Sequence, residues 1–190
     1  MENEKQRQLE ILVVEDQPKY REAAKKFFYA RDDVQVSYTD NSDKALEDIS
    51  EVDGALIDVF MQGSLALKDR ALKKLAEYQT KGNEERYYKS FDSIRKDIGN
   101  EGPIGLVILE KAEELDIPYV LVSSLFHHNM KLEAVTQFMI YSGRNMNFRE
   151  GNDGFGEEPT LKEKEMEKEF YKDYPEYWEK AYEQLSKQFK

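Results

Sequence analysis

Ile11-Leu-Val-Val-Glu-Asp16 and Ala55-Leu-Ile-Asp-Val-Phe-Met61 are the stretches on which the fold turns. Each is an aliphatic run that meets acid at or near its end. Unbroken apolar runs of this length suit strands buried on both faces, as in a parallel sheet, better than the alternation of a half-exposed strand. Working outward, Pro18 opens a helical pattern in which Tyr20, Ala23, Ala24, Phe27 and Phe28 share a face. Val34 to Tyr38 reads as a second strand. Ser42 is placed to cap a helix through Ile49, with Ala45, Leu46 and Ile49 inward. Gly54 to Phe60 is the third strand, Ile104 to Leu115 a helix, and Ile117 to Leu125 the last clear strand. This β-α-β-α-β…α-β alternation predicts an α/β fold, a doubly wound parallel sheet with helices on both faces.

Two segments stand outside that rhythm. Residues 62–102 read as two helices parted near Lys81-Gly82-Asn83, the second carrying a Tyr87, Phe91, Ile94, Ile98 stripe, and together they form an inserted helical hairpin. The second segment is 151–190, a linker and C-terminal helical extension following a domain of residues 1–150. Gly151 to Gly156 forms the linker, and Thr160 to Glu163 matches a capping box. Pro175 is expected to interrupt or kink the helix that follows. Phe170, Tyr174, Trp178, Tyr182, Leu185 and Phe189 recur at helical spacing, an aromatic stripe read as intramolecular packing.

Composition bounds the function. The chain has 190 residues, 39% hydrophobic and 35% charged, with a formal net charge of −11. Phosphate backbones would be repelled by that balance, so no nucleic-acid partner is expected. There is no cysteine, which excludes disulfides and thiolate metal sites. No apolar run approaches the roughly 20 residues that cross a bilayer, and Met1 to Leu9 is polar, so a cytoplasmic protein without membrane contact is expected.

Ligands of open parallel sheets sit beyond the carboxyl ends of the strands. Three predicted strands end there in suitable groups: Glu15-Asp16, Asp58 and Ser123-Ser124. Carboxylates gathered at one place repel unless a cation or proton intervenes, and an oxygen-only donor set points to Mg²⁺ rather than zinc. One carboxylate could attack phosphorus while the metal neutralises charge, with a Ser123 hydroxyl donating to a phosphoryl oxygen. His127-His128 is read as a pair of surface imidazoles, since neighbours on a helix diverge by about 100°.

Three motifs in order, Ile11 to Asp16, Ala55 to Met61 and Pro118-Tyr-Val-Leu-Val-Ser-Ser124, resemble those of response-regulator receiver domains of two-component signalling, which have a flavodoxin-like fold. Asp53 leading into the Asp58 strand is similar too, and Pro103-Ile-Gly-Leu106 resembles the segment that follows the acceptor strand. The resemblance spans Ile11 to about Arg149, with 62–102 outside it. It implies Asp58 as phospho-acceptor and Ser123 as the hydroxyl that follows the phosphoryl group. Glu15, Asp16, Asp58 and the Phe60 backbone carbonyl would hold Mg²⁺. It further implies phosphorelay signalling, with a histidine kinase or phosphotransfer protein upstream and a downstream protein partner. Enzymatic activity would be limited to autophosphorylation and autodephosphorylation, and oligomeric state is left open.

The chain departs from the pattern at two places. Gln62 stands where a Pro often follows the Met. No Lys-Pro is found at the end of a fifth strand: Asn145 to Phe148 makes a poor strand, and Arg149 falls nearest the Lys position. The missing Lys and the insertion motivate an alternative reading, a phosphorylation-independent receiver-like adaptor.

Overall fold

The computed structural model describes residues 7–80, 102–126, 146–149, 168 and 171–189. Five parallel strands form one sheet in the order β2-β1-β3-β4-β5. They are β1 (Leu9–Val14), β2 (Val34–Thr39), β3 (Gly54–Asp58), β4 (Tyr119–Phe126) and β5 (Met146–Arg149). The described helices are α1 (Pro18–Phe28), α2 (Ser42–Asp48), α3 (Leu65–Thr80), α4 (Gly105–Glu114) and α5 (Pro175–Ser186).

The period of two along a strand sends successive side chains to opposite faces, so both faces of a central strand need a cover. Leu12, Val14, Ala55, Ile57 and Leu121 face a core built with α2, α3 and α4. Ile11, Val13, Leu56, Val120 and Val122 face the other core, built with α1 and α5. This is the doubly wound, flavodoxin-like arrangement.

Local chemistry sets the helix starts. Pro18 and Pro175 sit in the first turns of α1 and α5, where the missing N–H costs nothing. Pro175 therefore opens its helix instead of kinking one. The cap of α2 is Asn41, whose side chain accepts from the Lys44 N–H at 3.0 Å. Ser42, expected as the cap, is already helical and buried. Met146–Arg149, a poor strand by composition, is an edge strand because β4 offers it a parallel partner, at Leu121↔Met146 and Val122↔Asn147.

Helix α3 is the first of the two expected insertion helices. It buries Leu72 and Leu75 in the core it shares with α4, and Arg70 and Lys74 both pair with Glu110, at 2.8 and 2.6 Å. The segment leaves and rejoins the domain at one neck, where Met61 and Gly102 exchange two backbone hydrogen bonds of 3.1 Å. The second helix, with Tyr87, Phe91, Ile94 and Ile98, lies outside the described residues, as do His127-His128, the 151–156 linker, the Thr160 capping box and Phe170.

Helix α5, expected from the sequence as an extension, shares a core with the sheet. Tyr177, Trp178, Ala181, Tyr182 and Leu185 are all buried, packed with Ala23, Ala24 and Phe28 of α1 and with Val120 and Val122 of β4. Phe28 and Tyr182 meet edge to face at 5.5 Å. From Trp178 to Phe189 the aromatic stripe is thus covered from within the chain. Among the described residues, no helix is long and apolar enough to cross a membrane.

Candidate functional site at the switch point of the sheet

The strand order reverses direction between β1 and β3, and the crevice beyond the carboxyl ends of those strands is where such sheets take ligands. Register places the acids there. Val14 pairs with Ile57, so the next residues along, Glu15 and Asp58, come level at the ends of adjacent strands. Carboxylate oxygens of Glu15, Asp16 and Asp58 all lie within 4.8 Å of one another.

Each acid is held by backbone or by a long basic side chain. Glu15 Oε1 accepts from the Gln17 N–H at 3.0 Å. Asp16 Oδ2 accepts from the Gln62 N–H at 3.0 Å, which ties the acid to the neck of the insertion. Arg21 Nη1 donates to the backbone carbonyls of Glu15 and Asp16, at 2.8 and 2.9 Å, and its Nη2 pairs with Asp40 at 3.2 Å. One forked side chain thereby fixes the β1–α1 turn.

The centre of the site is Lys172, only 1% exposed. Its Nζ lies 2.8 Å from Asp58 Oδ1 and also pairs with Glu15 Oε2. The Tyr20 ring centroid is 5.0 Å away and that of Trp178 6.0 Å away. Trp178 Nε1 donates to the Lys172 backbone carbonyl at 2.9 Å, anchoring the residue just ahead of α5. Burial opposes the charge on Lys172, but Asp58 and Glu15 outweigh it and hold its pKa above the ordinary lysine value. Burial and then the Glu15 charge push the Asp58 carboxyl well above the usual range, with Lys172 pulling the other way.

The expectation that a basic residue is missing is corrected here. Arg149, thought nearest the position, ends β5, and the lysine that reaches Asp58 is Lys172, from the segment assigned to a tail. A search confined to the end of β5 passes over it. A signal was present in Lys172-Asp-Tyr-Pro175: a sheet wound on both faces needs a helix after β5, and the Pro-opened aromatic helix is the one placed to supply it.

Ser123 follows Val122, the partner of Asp58 in the β3–β4 ladder, and is buried. Phe60 lies two residues past Asp58 in a buried turn. Tyr177, unforeseen from the sequence, is fully buried and its hydroxyl bridges the Ser123 backbone, accepting from the N–H at 2.9 Å and donating to the carbonyl at 3.1 Å.

The donor set fits a hard divalent cation. All its atoms are carboxylate oxygens, the preference of Mg²⁺. Asp16 Oδ1 is buried without a hydrogen-bond partner among the described residues, a cost that a cation would remove. Three carboxylates share the one ammonium of Lys172, and a divalent ion would supply positive charge that this ammonium alone does not.

No protein-family model matches the chain, and no curated protein matches it in sequence. Among solved structures it is similar to the signal receiver domain of a protein described as a Luxo repressor from Vibrio parahaemolyticus. That similarity is at 12% identity and a TM-score of 0.42, over 74% of this chain and 76% of that one. The class rests on the chain's own geometry: the β2-β1-β3-β4-β5 order, helices on both faces and an acid trio at the switch point make it a flavodoxin-like, doubly wound α/β domain with an acidic site.

Proposed function

We propose that the chain is a phospho-accepting receiver that carries a signal by protein contacts. The observation that supports this most is Lys172 Nζ set against both Asp58 and Glu15 in a buried pocket that also holds Asp16. Chance ion pairs rarely bury one ammonium among three converging acids, because the desolvation cost needs a compensating use.

In this reading Glu15, Asp16, Asp58 and the Phe60 carbonyl hold Mg²⁺, which when bound neutralises charge on the transferring phosphoryl group. An Asp58 carboxylate oxygen attacks phosphorus. The bond from phosphorus to a phosphohistidine nitrogen, or to the carboxyl oxygen of a small acyl phosphate, breaks, and its electrons leave with imidazole or carboxylate. The product is an aspartyl phosphate. The Lys172 ammonium, poised 2.8 Å from Oδ1, turns to a phosphoryl oxygen, and the Ser123 hydroxyl donates to another. A histidine kinase or phosphotransfer protein would be the donor, and a protein partner would read the altered surface.

The test is to incubate the protein with Mg²⁺ and acetyl phosphate and record intact mass, beside Asp58→Asn. The mass should rise by one phosphoryl group in the parent and stay constant in the variant. If neither gains mass, and beryllofluoride shifts neither melting curve, the phosphorylation-independent adaptor takes its place.

A further inference from the structure

The Tyr177 hydroxyl holds the backbone of Ser123 by both its groups, and Tyr177 stands one residue from Trp178, whose indole holds the backbone of Lys172. From this geometry we infer that Tyr177 is a positioning residue. Acting through the backbone of β4, it fixes where the Ser123 hydroxyl stands relative to the carboxylate of Asp58. The inference rests on the phospho-acceptor reading and deepens it.

Three observations carry it. First, the hydroxyl sits where a strand neighbour would. Regular β3 pairing of β4 ends at Val122, and the β5 ladder shifts register between Val122 and Phe126, so Ser123 falls where both ladders break. There the Tyr177 phenol accepts from the N–H and donates to the C=O, holding both backbone groups with one oxygen. Second, donation to the carbonyl commits the single hydroxyl hydrogen, so the lone pairs left over are the ones facing the Ser123 N–H, and the arrangement has one polarity. Third, the two grips belong to one turn of one helix. Tyr177 and Trp178 are both fully buried, and their rings pack edge to face with centroids 5.7 Å apart. A shift of α5 therefore moves the Ser123 backbone and the Lys172 carbonyl together, and Asp58, paired with Val122, is the fixed point between them.

The experiment compares parent, Tyr177→Phe, Ser123→Ala and the double variant for Mg²⁺ affinity, read by the single tryptophan Trp178, and for beryllofluoride affinity. Tyr177→Phe keeps the ring and removes the two hydrogen bonds. Mg²⁺ affinity should stay within about twofold, since no acid is touched, while beryllofluoride affinity falls about tenfold. In the Ser123→Ala background the same change should add little, because the hydroxyl it positions is gone. Additive losses, or equal losses of Mg²⁺ and beryllofluoride, would reduce Tyr177 to a packing residue and overturn the inference. If the parent itself takes up no beryllofluoride, the phospho-acceptor reading fails and the inference falls with it. Unchanged binding in Tyr177→Phe alone would sink only the inference.

Should Tyr177→Phe not fold, the parent supplies a second reading by amide hydrogen exchange. The Ser123 N–H should be protected like those of Val120 and Val122 and become slower still with beryllofluoride. Exchange at the rate of an open loop would overturn the tie.

Discussion

Lys172 Nζ lies 2.8 Å from Asp58 Oδ1, although the two residues come from the last helix lead-in and the middle strand of the sheet. The same ammonium pairs with Glu15, so one cation holds two buried acids. Replacing it with an apolar side chain of similar length isolates them. Lys172→Met should lose about 3–5 kcal/mol of stability at neutral pH without Mg²⁺, the range for breaking one side of a buried pair. The same variant should bind Mg²⁺ more tightly than the parent, because the ammonium competes with the ion for the same oxygens. Denaturant melts with and without Mg²⁺ measure both. A Lys172→Met protein that is less stable and also binds Mg²⁺ more weakly would contradict this competition.

The raised pKa of Asp58 sets a pH dependence. Burial and then Glu15 favour its proton in the folded state, so without a cation the folded protein binds more protons than the unfolded chain. The resulting stabilisation is complete below the ordinary carboxylate pKa and is lost as pH rises through the raised value, at up to about 1.4 kcal/mol per pH unit between the two. Mg²⁺ competes with that proton. The melting-temperature gain from Mg²⁺ should therefore be small near pH 5 and grow toward pH 8, whereas Asp58→Asn, with nothing to titrate there, should show a flatter profile. Calorimetry across the range decides it, and a gain that shrinks with rising pH would refute the assignment.

These two residues also mark what could be read from the chain alone. Asp58 was legible because its neighbours Ala55, Leu56 and Ile57 announce a buried strand, and an acid inside one needs a reason. Glu15 and Asp16 were legible for the same cause. Parallel pairing then fixes their approach, since Val14 opposite Ile57 leaves no other level for Glu15 than that of Asp58. Lys172 was hidden because its one sign is its place just ahead of the helix that Pro175 opens, and its own side chain is no different from the other lysines of a charged stretch. Its role arises from α5 docking on α1 and β4, a tertiary event. Tyr177 was hidden too: its spacing shows a buried ring, but a backbone bridge to Ser123 depends on where two ladders break.

Gly105 brings the first turn of α4 against the backbone at the end of β3. Its N–H donates to the Val59 carbonyl at 3.1 Å, and a Cβ there would stand 2.9 Å from Val59 Cα and overlap the Asp58 carbonyl oxygen. Backbone, unlike a side-chain end, cannot swing aside. Gly105→Ala should cost about 3 kcal/mol, at the upper end for overpacking, and should weaken Mg²⁺ binding because the strand end bearing Asp58 is displaced. Denaturation together with a Mg²⁺ titration followed by Trp178 fluorescence would show both. A variant with parent-like stability would mean that α4 yields more easily than this contact implies.

Arg21 separates geometry from charge at the site. It touches no carboxylate of the trio, yet it holds the backbone carbonyls of Glu15 and Asp16 with one nitrogen while another reaches Asp40. Lysine keeps the charge but offers a point donor in place of a fork. Arg21→Lys should therefore lower Mg²⁺ affinity nearly as much as Arg21→Ala, by about tenfold, for a stability loss of about 1–2 kcal/mol. A purely electrostatic role predicts something else: removing a nearby positive charge would tighten Mg²⁺ binding in Arg21→Ala, and the lysine variant would match the parent. Isothermal titration of the two variants distinguishes these cases by the sign of the alanine effect, and weaker binding in both requires that the turn be held in shape by the guanidinium fork.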